Sequence, residues 1–195
     1  MNIRLSIAIG MAGVAIAAGA AFAAGQPSET APAVSRDEIE VYDAVLASWL
    51  GDEPGRQLVN ATLSPPPSTS DPEIAACTKG LDFPAGAPGG QGRKSLFGVQ
   101  FARPGVEVID GSTWKPVDPG QAIAKGESVD AAVEEGFANS LISFSQVAFS
   151  RDGSEAVVKF GMVCGSLCGS GQTLRLHKSG GHWSALKQCG GGWIS

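Results

Sequence analysis

The sequence predicts an α+β domain in which an N-terminal helix packs on an antiparallel β-meander and disulfides brace the two. Three observations predict this class. A capped amphipathic pattern covers residues 35–51, two hairpin signals lie within residues 141–187, and the four cysteines make an even number. Residues 35–195 are long enough for a single domain with a real core and too short for two of comfortable size.

Residues 1–23 have the pattern of a bacterial signal peptide. Arg4 is the only charged residue before or within the apolar stretch, which ends in Ala21-Phe22-Ala23. Signal peptidase requires small side chains at the first and third of these positions. Residues 24–34 are rich in Pro, Ala and Ser and predict a flexible leader. We therefore expect a periplasmic or secreted protein; the alternative is an uncleaved anchor, for which the stretch is only weakly apolar.

The charge balance excludes some classes of partner. The chain carries 14 Lys and Arg against 19 Asp and Glu, a net charge of −5. Nucleic acid and anionic lipid require concentrated basic residues, so neither is expected as a partner. No segment after residue 24 is apolar over the length that a transmembrane helix needs. The expected partner is an unknown protein or a component of the cell envelope.

The first predicted element is the helix. Ser35 is a good N-cap residue, and Glu38 completes a capping box with it. Apolar side chains then recur every three or four residues and share one face: Tyr42, Val45, Leu46, Trp49 and Leu50. Gly51 favours a C-terminal cap. We expect Tyr42 and Trp49 to pack in the core against a sheet rather than to bind a ligand.

The middle of the chain gives weaker signals. In order, it predicts a strand at 57–63, a short helix at 71–79, an exposed Gly/Pro-rich loop at 83–92, strands at 97–101 and 105–109, and a helix at 130–139.

The C-terminal part predicts two hairpins. Strands at 141–149 and 155–163 flank Asp152-Gly153, which favours a type I′ turn with positive φ at both central residues. Strands at 173–178 and 182–187 flank Ser179-Gly180-Gly181. Alternation places one set of side chains in the core (Leu174, Leu176, Trp183 and Ala185) and another in solvent (Thr173, Arg175 and His177).

The cysteines are Cys77, Cys164, Cys168 and Cys189. An even number in an exported protein predicts disulfides, and three pairings are possible. We favour Cys164–Cys168 across a tight loop, which leaves Cys77–Cys189. A redox-active pair at Cys164 and Cys168 is less favoured, because redox motifs place Cys-x-x-Cys at the start of a helix. A zinc site is also less favoured, because only one close pair of cysteines is present.

No catalytic residue, metal site or cofactor is predicted. His177 and His182 are expected on the solvent face, near each other across the hairpin, where they could bind a metal or respond to pH. No further ligand is visible, so surface imidazoles are the favoured interpretation. The nucleophile elbow Gly-x-Ser-x-Gly of serine hydrolases is absent from the sequence.

Residues 143–195 carry a "CGxLCGxG" loop, a Trp after a Gly turn and a closing "WIS". This stretch resembles the C-terminal part of a group of uncharacterised exported bacterial proteins. The loop motif is matched by Cys164, Gly165, Leu167, Cys168, Gly169 and Gly171. The helix with Tyr42 is similar to the group's N-terminal "VY" helix, whereas residues 64–130 have no counterpart. The resemblance implies no activity, and it favours Cys164–Cys168 as the local disulfide.

The predicted function is that of a non-catalytic binding module or a cell-envelope-associated module. The candidate interaction loop consists of Gly165, Ser166, Leu167, Gly169 and Gly171. Two alternatives remain open. One is an enzyme, either a periplasmic thiol oxidoreductase or an unrecognised hydrolase. The other is a secreted inhibitor whose loop 164–171 plugs the cleft of a target enzyme.

Overall fold

A computed structural model describes residues 33–51, 55–68, 70–84, 92–165 and 168–194. The predicted signal peptide lies outside the described residues, as do most of the leader, most of the loop at 83–92, and Ser166 and Leu167. Within the described residues, the predicted α+β class and disulfide bracing are confirmed.

The helices are α1 (Arg36–Leu50), α2 (Pro72–Cys77), α3 (Pro119–Ala124) and α4 (Val129–Ala138). The strands are β1 (Gln57–Asn60), β2 (Val106–Ile109), β3 (Leu141–Phe144), β4 (Ala148–Phe149), β5 (Glu155–Gly165), β6 (Cys168–Ser179) and β7 (His182–Ile194).

The strands form one sheet in the order β2-β1-β3-β5-β6-β7, with β4 paired to β5. Strands β3 to β7 pair antiparallel, as the predicted meander requires. Strand β1 differs, because it pairs parallel to both β2 and β3. The sheet is therefore mixed. Parallel neighbours need long crossover connections, and the chain segments that follow β1 and β2 supply them.

Helix α1 covers one face of the sheet with its predicted apolar side. Both hydrogen bonds of the Ser35–Glu38 capping box are present. Tyr42 is fully buried, its ring lies 4.8 Å from that of Phe144, and its hydroxyl donates to the carbonyl of Ser145 at 3.0 Å. Trp49 meets Phe160 edge to face at 4.9 Å. The predicted core role of Tyr42 is confirmed, and Trp49 packs against the core while staying partly exposed.

Two predictions for individual elements are wrong, and one helix is missing from the prediction. Residues 97–101 form no strand, because Gly98 turns the chain with a φ of +80°. The strand predicted at 141–149 is interrupted after Phe144. There the backbone N–H of Ser145 donates to the carbonyl of Lys159, whereas the N–H of Gln146 donates to the carbonyl of Ser64, outside the β3–β5 pair. Helix α3 was not predicted at all.

The two hairpin turns differ from each other. At Asp152-Gly153 only the glycine has positive φ, so the predicted type I′ turn is wrong there. Ser150 and Ser154 donate to the Asp152 carboxylate and hold its pKa at about 2, below its usual value. At Gly180-Gly181 both residues have positive φ, and the turn links Ser179 to His182 directly. This second hairpin has the two-residue turn that type I′ geometry favours.

None of the described helices combines the length and the apolar character that crossing a membrane would require.

Candidate functional site

The face of β5–β7 that is turned away from α1 contains a patch without side chains. Gly161 on β5 pairs with Gly171 on β6, and Gly171 pairs in turn with Trp193 on β7. Gly169 lies two residues before Gly171 and therefore on the same face. We refer to Gly161, Gly169 and Gly171 as the glycine floor.

The indole of Trp193 lies flat on this floor. A Cβ atom added at Gly169 would be 2.9 Å from Cζ3 of the indole, and one added at Gly161 would be 3.6 Å from Cζ2. A Cβ atom at Gly171 would overlap the indole Nε1. Aromatic residues shield the exposed backbone of glycines on neighbouring strands in this way. Gly169 and Gly171 of the predicted interaction loop therefore leave room for the ring.

The outer side of the same ring is open. Trp193 is 48% exposed and borders a cleft of about 290 Å³. The charged residues that line this cleft carry both signs: Asp71, Glu73 and Lys159. The Glu73 carboxylate also accepts the backbone N–H of Gly191 at 3.3 Å, which ties the N-terminal turn of α2 to β7. An aromatic surface and a mixed polar rim thus lie side by side.

A disulfide fixes one wall of the cleft. Cys77 at the end of α2 is bonded to Cys189 on β7, with a Cα–Cα distance of 5.3 Å. The Arg175 guanidinium donates to the Cys77 carbonyl at 3.1 Å. Cys189 itself lines the cleft. Helix α2 is therefore held against the sheet covalently and by hydrogen bonds.

The same face carries a second polar cluster at its other end. The Glu155 side chain is only 7% exposed and accepts from Arg175 Nε at 2.8 Å, while its second oxygen lies 2.8 Å from His177 Nδ1. The Arg175 hydrogen bond, opposed by desolvation, holds the pKa of Glu155 below its usual value. Thr173 is buried and Arg175 largely covered, so the prediction of a fully solvated face is wrong there, because α2 packs over it.

The two histidines share a face but are not opposite each other. His177 pairs with Ser184, and His182 pairs with Ser179. Among the described residues, no three His, Cys, Asp or Glu side chains are grouped so that they could hold a metal ion.

The cysteines pair as favoured from the sequence. Besides Cys77–Cys189, Cys164 is bonded to Cys168 with a Cα–Cα distance of 5.2 Å. Cys164 has no exposed surface and belongs to the core beneath α1. A reactive cysteine is normally accessible to solvent, so this burial supports a structural bridge.

The predicted interaction loop divides between two environments. Gly169 and Gly171 belong to the glycine floor, whereas Gly165 lies against α3, where an added Cβ would be 3.6 Å from Pro119. Ser166 and Leu167 are outside the described residues. The sequence analysis does not identify Trp193, which enters it only within the closing "WIS". The available signal was the glycine pair two residues apart, because such a pair exposes backbone that a cross-strand aromatic can cover.

No protein-family model, no curated protein and no solved structure matches this chain.

Proposed function

We propose that this protein is an exported, non-catalytic binding module that binds a saccharide on the open face of Trp193. One observation carries the proposal. The indole is held flat by the glycine floor while about half of its residue surface stays exposed beside a polar cleft.

A sugar ring has the chemistry that this site complements. Its C–H face is apolar and stacks on an aromatic plane, and its hydroxyl edge both donates and accepts hydrogen bonds. Asp71 and Glu73 supply acceptors, and Lys159 supplies a donor. Quaternary ammonium groups, in contrast, are usually bound in a cage of several aromatic rings.

The dimensions of the cleft favour one unit of a longer chain. Its volume of about 290 Å³ is at the lower limit of small-molecule pockets. The predicted signal peptide would deliver the protein to the cell envelope, where cell-wall polysaccharide is the abundant ligand of this class. We therefore propose weak binding to repeating sugar units of the wall.

Co-sedimentation with purified cell-wall sacculi tests the proposal. Saturable binding by the whole protein is expected, and Trp193→Ala should weaken it about tenfold, equivalent to about 1.4 kcal/mol. Leu186→Ala is the matched control, since Leu186 is another exposed apolar residue of β7. If Trp193→Ala sediments like the wild type, or if Leu186→Ala fails equally, the proposed site is wrong.

A further inference from the structure

Helix α4 turns its large apolar side chains outward. Val129, Val133 and Phe137 are 60%, 38% and 51% exposed, and their spacing of four residues puts them on one side of the helix. Its buried residues are the small ones, Ala132 and Gly136. A surface helix usually buries its large apolar stripe, so this arrangement is reversed.

The reversal follows from how α4 is packed. A Cβ atom added at Gly136 would be only 2.8 Å from Pro119 of α3, so α4 packs against α3 through a residue that has no side chain. Phe137 also lines a cleft of about 860 Å³ that it shares with Trp49 and Met162. The stripe of Val129, Val133 and Phe137 therefore leads into a recess large enough for a bulky side chain.

Carboxylates follow one flank of this stripe. Asp130 and Glu134 each come directly after a stripe residue, which places them about 100° further around the helix. Neither carboxylate forms an ion pair with a cation in the part of the chain that the structure describes. The surface thus combines exposed apolar area with uncompensated negative charge.

We propose that the stripe, together with Asp130 and Glu134, is a docking surface for a basic, amphipathic helical segment of a partner protein. Apolar residues of the partner spaced by three or four would pack on the stripe, and Lys or Arg beside them would meet the two carboxylates. The charge favours this occupant over two others. An anionic lipid surface would be repelled, and a second copy of this chain would bring an identical acidic surface.

Two synthetic helical peptides of 18 residues test the inference on the whole protein. One has Leu at spacings of three and four residues, so that the Leu side chains share one helix face, and Lys at the other positions. The second peptide has Glu in place of every Lys. Fluorescence anisotropy at low salt should show at least tenfold tighter binding of the Leu/Lys peptide. Phe137→Ser should weaken that binding at least tenfold, and the double substitution Asp130→Lys, Glu134→Lys should reverse the preference between the peptides. All three positions are exposed, and a thermal melt of each variant verifies folding.

Several results would overturn the inference. They are equal binding of both peptides, an unchanged preference after charge reversal, and binding to vesicles of phosphatidylethanolamine and phosphatidylglycerol that Phe137→Ser abolishes. A dimer in sedimentation velocity that Phe137→Ser dissociates would mean that a second copy covers the stripe. Sacculus binding through Trp193 is a separate readout, so failure of one proposal leaves the other standing.

Discussion

At the scale of single residues, the glycine floor shows how missing side chains position another side chain. Glycine in a strand interior costs conformational entropy and contributes no packing. Here Gly161, Gly169 and Gly171 lie together on adjacent strands, and the indole of Trp193 covers them. The contact of ring and backbone offsets part of that cost and fixes the orientation of the ring.

Gly171→Ala should therefore destabilise the protein by about 1–3 kcal/mol, the usual range for overpacking. The added methyl group would overlap the indole and force the ring off the floor. Urea unfolding gives the free energy, and near-ultraviolet circular dichroism reports the ring. Gly191→Ala is the control, because its Cβ atom would have no heavy atom within 4 Å. Equal stabilities for the two variants would contradict the flat placement of the indole.

Glu155 makes the stability of the fold dependent on pH. The pKa of Glu155 is lowered in the folded protein, chiefly by Arg175 and also by His177. Its ionised form therefore stabilises the fold above the pKa of the unfolded chain, about 4.3, and this contribution is lost as the pH falls through the lower, folded pKa.

Glu155→Gln should cost about 1.5–3 kcal/mol at pH 7, the value of a hydrogen bond to a charged group. The difference from the wild type should shrink at about pH 3, because this pH lies below the pKa of the unfolded chain and the ionised carboxylate stabilises the fold less there. Urea unfolding of the wild type and the variant at pH 7 and at about pH 3 measures this difference in stability. A difference that is the same at both would mean that the charge of Glu155 has no part in the effect.

At the scale of elements, α1 was predicted almost completely, and the two C-terminal hairpins were predicted in outline. The capping box, the apolar face and the glycine that ends the helix are all local signals. The ion pair that Glu38 forms with Lys94 was not predictable, since it joins residues that are remote in sequence. The break after Phe144 has the same origin, because distant groups, Ser64 and Lys159, bond to the chain there.

Lys94→Ala should destabilise α1 more than loss of its N-cap does. The Glu38 side chain is 3% exposed and would be left without its cation, at a cost of about 3 kcal/mol, the lower end for breaking a buried pair. Ser35→Ala, which removes the cap, should cost about 1 kcal/mol. Chemical denaturation of both variants compares them. If Lys94→Ala proves the milder substitution, water rather than Lys94 compensates the carboxylate.

At the scale of the whole molecule, the disulfides were predicted but the sheet order was not. The number and spacing of the cysteines favour the pairing that the fold contains. The parallel pairing of β1 with β2 and β3 depends on where long connections return, and residues 64–130 carry few periodic signals. The binding surface was located only in part. Gly169 and Gly171 were identified, whereas Trp193 and α2 meet them only through the tertiary fold.

The two disulfides should contribute unequally to stability. Cys77–Cys189 closes a loop with a sequence separation of 112, and Cys164–Cys168 one of only 4. The chain-entropy model gives about 4–5 kcal/mol for the first and about 2 kcal/mol for the second. Two double variants test which disulfide contributes more to stability. One combines Cys77→Ala with Cys189→Ala, the other combines Cys164→Ala with Cys168→Ala, and chemical unfolding compares their stabilities. The first pair should also lose sacculus binding, because α2 forms a wall of the cleft, and retained binding would contradict that.

The pairing of the strands also predicts the order in which they join the sheet during folding. Strands β5, β6 and β7 meet their neighbours through short connections, whereas Leu58 on β1 must find Leu141 on β3 far along the chain. Local contacts form sooner than distant ones, so the C-terminal hairpins should nucleate folding and β1 should join late. Leu174→Ala should then slow refolding, while Leu58→Ala should mainly accelerate unfolding, as stopped-flow chevron plots of the two variants would show. Substitutions in β1 would thus shorten the lifetime of the folded protein without delaying its formation.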